Sequence, residues 1–486
     1  MSVDRPSDAP CRVLVITPPF VRALQPHLGP ALLVAAAAAE GAESSAVDLN
    51  LAWIRDQLSD IRPTREQQAF VGRAQHPADT FDPHLEILRK QHLRAFAVPA
   101  AWSVDDRTLD LTYPFADVVR AAERHTTQQH RWILKHLRRA CPRPHAPLLC
   151  WLHVDSELQV LWALAVGVVL RELWPEAGLI WSGALVADLI DEITTDPRYG
   201  SLIDGFVPHR PHAVIAGVIR ELVADGPMPP TLVRAGQRRE QTRLSDAIVV
   251  PRFPAKLIVS GGRVALPIRL NSSPRSRCPW CPTPRRLVLR IGELQAVIRD
   301  AHDRGADLEF LDRGMDAASL DAVCRVVAGD VGWSMRCDFV DDHATALAER
   351  FTRVVAAGCR TLHLSLHPHA LREPARRGRL PDVLRAILRA ARRSAIPLVI
   401  RRVNGYPGTR TLVHPLVDSK VHGLLARALD GYPAPLQLRS VEYRPRRTCF
   451  RPSGCTTDRW DLLRAAPWSG VLQWRVRASS PHDDDE

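Results

Sequence analysis

Lysine is nearly absent from this 486-residue chain: it occurs four times, so the formal charge of +12 is carried almost wholly by arginine. Arginine, alanine and proline are abundant along the whole length, which reads as a compositional bias. The arginines are dispersed apart from short clusters such as Arg376–Arg379 and Arg444–Arg447, and no nucleic-acid-binding motif accompanies them. A phosphate track is therefore set aside, and no nucleic-acid partner is expected. Long apolar runs are also lacking. The most apolar stretch, Leu158–Leu170, is closed by Glu157 and by Arg171-Glu172. That is too short to span a bilayer and predicts a buried helix, with no membrane partner. Met1–Pro10 is polar and holds no apolar signal region, so a cytoplasmic setting is expected.

Cysteine is present, ten times, but without the setting of a disulfide framework. Cys11, Cys141, Cys150, Cys324, Cys337 and Cys359 are isolated and mostly flanked by apolar residues, the pattern of buried reduced thiols. Only Cys278-Pro279-Trp280-Cys281 and the pair Cys449 and Cys455 have ligand-like spacing.

What is there is ordinary globular material, 46% hydrophobic and 24% charged, in a chain long enough for two or three domains. Arg12–Ile16 predicts a buried parallel strand. Thr17-Pro18-Pro19-Phe20 ends it, Leu28-Gly29-Pro30 leads into a helix to Glu40, and Ala46–Asn50 follows as a second strand. Strand, loop, helix and strand open a doubly wound α/β domain. Residues 53–146, rich in His, Gln and Arg, predict a helical insertion. Its His125, His130 and His136 lack ligand spacing and are expected on a solvated face. The α/β rhythm resumes with strands at Pro147–Leu152, Gly178–Trp181 and Ile203–Val207. Helices at Glu157–Trp174 and His212–Leu222 alternate with them.

The first domain is thus placed at residues 1–226, followed by a proline-rich linker at 227–269. From Leu287 four helix–strand repeats with short loops predict a parallel barrel or part of one, at 270–445. Residues 446–486 form a C-terminal extension with an acidic tail, Asp483–Glu486.

The order of these elements resembles the cobalamin-binding radical S-adenosylmethionine (SAM) enzymes, particularly the C-methyltransferases that mature ribosomally made peptide natural products. In the first half the matching pieces are Val13–Ile16, Pro18-Pro19-Phe20, Leu28-Gly29 and Asp48-Leu49-Asn50. In the second they are the loop Leu270–Cys281, Asp312, Trp333-Ser334-Met335-Arg336, Gly358–Ser365 and Asn404-Gly405-Tyr406-Pro407-Gly408-Thr409. The resemblance implies a cobalamin domain, with Leu28 and Gly183 toward that cofactor, and a radical-SAM partial barrel. It further implies a SAM pocket formed by Asp312, Arg336, Asn404, Gly405, Pro407 and Gly408, with Cys278 and Cys281 as metal ligands.

Three departures remove residues tied to cofactors while the scaffold signals survive. A cluster loop of this family carries three cysteines, which hold three irons of a [4Fe–4S] cluster and leave the fourth for SAM. Here the place of the first cysteine, four residues before Cys278, is Pro274, and proline cannot ligate iron. His367 stands where the family commonly carries Glu. Pro208-His209-Arg210-Pro211-His212 replaces a Gly-Glu-rich stretch, and Ser182-Gly183 replaces a double-glycine turn.

Cys278 and Cys281 keep three readings open: an iron–sulfur remnant, half of a zinc site with Cys449 and Cys455, or an idle pair. Asp312 and Arg336 are expected at strand ends, either as an ion pair between neighbouring strands or as cofactor contacts. His363, His367 and His369 are expected to line a polar barrel mouth. The resulting expectation is a degenerate family member acting as an accessory or non-standard component of natural-product maturation. Its partner would be a peptide or small natural-product substrate, or a sister biosynthetic enzyme. SAM and cobalamin are the cofactors the resemblance implies, and the two cysteines leave the [4Fe–4S] cluster incomplete. The alternative is an active cobalamin-dependent radical SAM C-methyltransferase with an unusual cluster ligand.

Overall fold

The computed structural model describes residues 11–19, 27–60, 103–104, 111–112, 127–142, 147–155, 157–183, 186, 190, 197–208, 211–223, 232–233, 249–253, 264–270, 289–312, 314–338, 341–366, 380–404, 425, 433–434 and 436–442. The chain divides into two units, Met1–Val264 and Ala265–Glu486.

The first unit runs β1 (Arg12–Thr17), α1 (Leu28–Ala39), β2 (Glu43–Asp48), α2 (Leu49–Asp60), a small hairpin of β3 (Ser103–Val104) and β4 (Leu111–Thr112), and α3 (Thr127–Ala140). It continues with β5 (Leu148–His153), α4 (Glu157–Leu173), β6 (Gly178–Ser182), α5 (Pro197–Leu202), β7 (Gly205–Val207) and α6 (Pro211–Val223). Five parallel strands stand in the order β2-β1-β5-β6-β7. Parallel crossovers are right-handed, so a strand order that reverses direction puts helices on both faces. Two separate cores show this. Val13, Val15, Leu149, Trp151 and Ile180 pack under α1 and α6, while Leu14, Ile16, Cys150, Leu152, Leu179 and Trp181 pack under α3 and α4. Consecutive residues of β1, β5 and β6 thus enter opposite cores, which is why Val13–Ile16, Leu148–Leu152 and Leu179–Trp181 are continuous apolar runs.

The expected insertion at 53–146 needs correcting at both ends. Trp53, Ile133, Leu137 and Cys141 belong to the core of the first unit itself. Trp53 and Trp132 both meet Trp162 edge-on, at 6.2 and 5.7 Å between ring centroids. Trp132 Nε1 donates to Asp56 Oδ2 at 2.6 Å, clasping α3 to α2. His136 is not on a solvated face either: it lies 4.5 Å from the Trp132 ring and 3.4 Å from Asp56 Oδ2. His130 meets Glu172 Oε2 at 3.2 Å, and His125 lies outside the described residues. The histidines flank the apolar stripe that α3 presents to α4, so they border a packed seam.

The second unit runs β8 (Ala265–Ile268), α7 (Ile291–Asp303), β9 (Asp307–Phe310), α8 (Ala317–Val327), β10 (Trp333–Asp338), α9 (Asp341–Ala356), β11 (Cys359–Leu366), α10 (Leu380–Arg393), β12 (Leu398–Asn404) and β13 (Leu436–Glu442). All six strands are parallel and stand in chain order. A sheet wound in one direction places every right-handed crossover helix on the same face. Leu308, Phe310, Trp333, Met335, Cys337, Leu362, Leu364, Leu398 and Ile400 share one face by register and are buried. The opposite face carries Glu309, Ser334, Arg336, Thr361 and His363. Local signals agree with the winding: Asp316 caps α8 by accepting the Ser319 N–H at 2.8 Å.

The expected linker at 227–269 is also corrected. Its last residues form β8, the first strand of the second sheet, and Pro267 is tolerated there because β8 is an edge strand paired only with β9. Earlier in the same stretch, Val233 exchanges two backbone hydrogen bonds with Phe206, at 2.9 and 3.0 Å, and extends the edge of the first sheet. The expected C-terminal extension lies outside the described residues.

Candidate functional site

In an open α/β sheet the ligand crevice lies beyond the carboxyl ends of the strands, where the strand order reverses. In the first unit that point falls between β1 and β5, and four of the five strands end in polar residues: Thr17, Asp48, His153 and Ser182. His153 and Ser182 are buried although each follows an apolar run. Trp151 Nε1 donates to Ser182 Oγ at 2.8 Å, and His153 Nδ1 lies 3.2 Å from the same oxygen. His153 Nε2 faces Asp155 Oδ2 at 3.2 Å. Gln159 fixes the loops around it, accepting the Asp155 N–H at 2.7 Å and donating to the Pro18 carbonyl at 2.9 Å.

Two glycines make this edge possible. A Cβ on Gly29 would stand 2.2 Å from His153 Nε2, so glycine after Leu28 admits the imidazole beside the start of α1. Gly183 has φ +122°, and a Cβ there would stand 2.1 Å from the Val154 carbonyl oxygen. The expected Leu28 and Gly183 therefore do lie at one end of one sheet. Gly183 acts through backbone geometry, and Leu28 opens α1. The Asp48-Leu49-Asn50 signal has a structural role of its own, since Asp48 Oδ1 accepts the Leu51 N–H at 2.8 Å and starts α2.

His27, just before α1, and His153 were not singled out in the sequence, and Ser182 figured there only as the turn residue before Gly183. His27 makes no helix-capping bond, and its Nε2 is buried without a hydrogen-bond partner. Burial pushes its pKa below the ordinary value; Asp48 and Asp155 pull the other way, and His153 adds to the depression. The legible signal was a polar residue closing an apolar strand, in Trp151-Leu152-His153 and Ile180-Trp181-Ser182.

In the second unit Asp312 and Arg336 take different partners. Asp312 is buried just past β9, and its Oδ2 accepts the Leu270 N–H at 2.9 Å, which ties the ends of β8 and β9 together. Arg336 is mid-strand in β10, not at a strand end, and its Nη2 donates to Glu309 Oε1 at 2.6 Å. The interstrand ion pair exists, but Glu309 is its acid. Glu309 was missed because Asp307-Leu308-Glu309-Phe310 reads as a plain alternating strand. His363 is buried opposite Arg336, inside the sheet rather than at a barrel mouth.

Asn404 is the last residue of β12 and stands opposite Glu442 of β13. Gly405, Pro407, Gly408, Cys278, Cys281, Cys449, Cys455, Pro274, His367 and His369 lie outside the described residues. Among the described residues no three His, Cys, Asp or Glu side chains are placed to hold a metal ion. The isolated cysteines are buried free thiols, as expected. Burial raises the Cys359 pKa to about 12 and that of Cys11 to about 11, which keeps both as protonated thiols near neutral pH. No described helix is long and apolar enough to cross a membrane.

No protein-family model matches the chain, and no curated protein matches it. Among solved structures, the radical SAM methyltransferase TsrM from Kitasatospora setae, with tryptophan substrate and a SAM analogue bound, is 13% identical with a TM-score of 0.48, covering 85% of this chain and 71% of that one. The same enzyme with cobalamin and a [4Fe–4S] cluster bound is 13% identical with a TM-score of 0.47, covering 88% and 75%. The cobalamin-dependent SAM radical enzyme OxsB with aqua-cobalamin bound is 10% identical with a TM-score of 0.52, covering 89% of this chain. The chain spans about half of OxsB, 54% of its length. A mixed α/β fold with parallel sheets is thus what this chain shares with OxsB, and in fold it resembles the cobalamin-dependent radical SAM enzymes.

Proposed function

We propose that this chain is a degenerate relative of the cobalamin-binding radical SAM enzymes. It would serve natural-product maturation, of ribosomal peptides in particular, as an accessory or non-standard component that binds a peptide, a small natural product or a sister enzyme. The observation that carries this reading is Pro274, which occupies the place of the first cluster cysteine. Two thiolates, Cys278 and Cys281, do not match the three-thiolate donor set of such a cluster, so no radical step is derived for this chain.

The first unit fits its implied cofactor better. Its strand-reversal edge offers an orphaned His27 Nε2, the His153–Ser182 pair and the close backbone approach at Gly183. Cobalamin carries peripheral amide groups that such donors and acceptors recognise, and when bound it supplies a cobalt able to carry a methyl group. His27, His153 and Ser182 would orient it. SAM would belong to the second unit, at Asn404–Gly408.

Anaerobic reconstitution with iron and sulfide, followed by iron analysis and electron paramagnetic resonance after reduction, tests the reading. The expected result is iron well below four per chain and no signal that responds to SAM. A stoichiometric four-iron signal perturbed by SAM sinks it. That outcome instead supports an active cobalamin-dependent C-methyltransferase whose cluster Cys278 and Cys281 share with an unusual ligand. The surviving Cys278-x-x-Cys281 pair is the feature that keeps this second reading in view.

A further inference from the structure

The face of the second sheet opposite its described helices holds a carboxylate, a guanidinium and a hydroxyl whose hydrogen-bonding capacity is only half used. Glu309 on β9 and Ser334 on β10 are each 1% exposed, and the register sets them directly opposite one another. Arg336 follows on the same face of β10 and joins Glu309 through Nη2 and Oε1 at 2.6 Å. Three atoms remain buried without a hydrogen-bond partner: Glu309 Oε2, Arg336 Nε and Ser334 Oγ. Each such orphan costs on the order of 1–3 kcal/mol, and a polar network that serves the fold alone is normally satisfied throughout. Here the ion pair is made and the atoms around it are left over.

Those leftover atoms specify a ligand chemistry. Glu309 Oε2 accepts, Arg336 Nε–H donates, and Ser334 Oγ does either. The ion pair is already neutral, so a further charge is disfavoured at this depth: an anion would face Glu309 and a cation would face Arg336. The group that fits is neutral and offers an N–H beside a C=O. We propose that Glu309, Ser334 and Arg336 form a subsite for an amide group of the substrate, its N–H directed to Glu309 Oε2 and its C=O to Arg336 Nε. Peptide bonds and side-chain carboxamides share this chemistry. The subsite goes beyond the reading above and does not depend on whether a cluster forms, so the iron analysis and the following experiment fail independently.

Saturation-transfer NMR on the full chain uses N-methylacetamide as a peptide-bond probe and acetamide as a carboxamide probe, with acetate and methylammonium as charged controls. Transfer to at least one amide and to neither ion is expected. Preference for N-methylacetamide identifies a backbone contact, and preference for acetamide a side-chain one. Glu309→Gln places a donor where an acceptor is required and should weaken binding about tenfold, and Ser334→Ala about threefold. Circular dichroism checks that both variants are folded; where Glu309→Gln fails to fold, Ser334→Ala decides. Absence of transfer to both amides, equal transfer to the ions, or amide binding unchanged in the folded variants overturns the subsite.

Discussion

The two units solve the same problem, burying a parallel sheet, in opposite ways. In the first the strand order reverses, helices cover both faces, and Val15 and Ile16 enter different cores. Polar groups are driven to the carboxyl edge, where His153, Ser182 and His27 gather. In the second the strands follow chain order, helices cover one face, and the other keeps Glu309, Ser334, Arg336 and His363 in mid-strand. Winding direction therefore decides where each unit can afford chemistry: at the edge of a two-faced sheet, or across the inner face of a one-faced one.

The sharpest way to break the first half of this contrast is to remove the backbone freedom at its edge. Gly183→Ala forces a Cβ against the Val154 carbonyl at φ +122° and should destabilise the first unit by about 4 kcal/mol in urea denaturation. Gly329→Ala, at φ +86° with nothing within 4 Å, should lose only about 1 kcal/mol. Equal losses would mean that the close approach at Gly183 does not matter.

The inner face of the second unit is probed by its ion pair. Arg336→Met leaves Glu309, whose side chain is 2% exposed, as an unpaired buried carboxylate and should cost about 3 kcal/mol. Adding Glu309→Leu should restore stability to within about 1 kcal/mol of the parent, because the pair is not there to stabilise the fold. A double variant as unstable as the single one would show that the pair is structural.

Asp312 sharpens the line between scaffold and site. Asp312→Ala deprives the buried Leu270 N–H of its acceptor and should cost about 2 kcal/mol, with faster amide exchange at Leu270. Asp312→Asn, which can still accept, should recover most of it. If neither variant moves stability, the tie between β8 and β9 is not what Asp312 contributes.

The smallest effect is expected from His27. Its folded pKa lies below the ordinary 6.5, so the unfolded chain binds the proton more readily. Stability is then full above about 6.5 and declines as pH falls from that value toward the lower folded pKa. His27→Gln should flatten this decline in the first unit's thermal transition between pH 7 and 5, and an unchanged slope would remove His27 as its source.

Much of the architecture was legible because period and punctuation are local properties. Continuous apolar runs such as Leu148–Leu152 mark strands buried on both faces, whereas the strand expected at Ala46–Asn50 ends at Asp48, which instead starts α2. The boundary at 265 was misplaced because Pro267 looks like a linker residue until β8 is known to be an edge. The ends of the 53–146 segment were misjudged because Trp53 and Trp132 pack against Trp162, far along the chain.

The sequence by itself determined the alternation of strands and helices, the apolar strand cores and the reduced cysteines. Each of these depends on residue type or on spacing within a few positions. Tertiary structure alone decided that Arg336 pairs with Glu309 and not with Asp312, that His153 shares Ser182 with Trp151, and that Gly29 makes room for an imidazole more than a hundred residues away. Those pairings depend on strand order and register, which bring distant positions within a few ångströms and leave no mark on either neighbourhood of the chain.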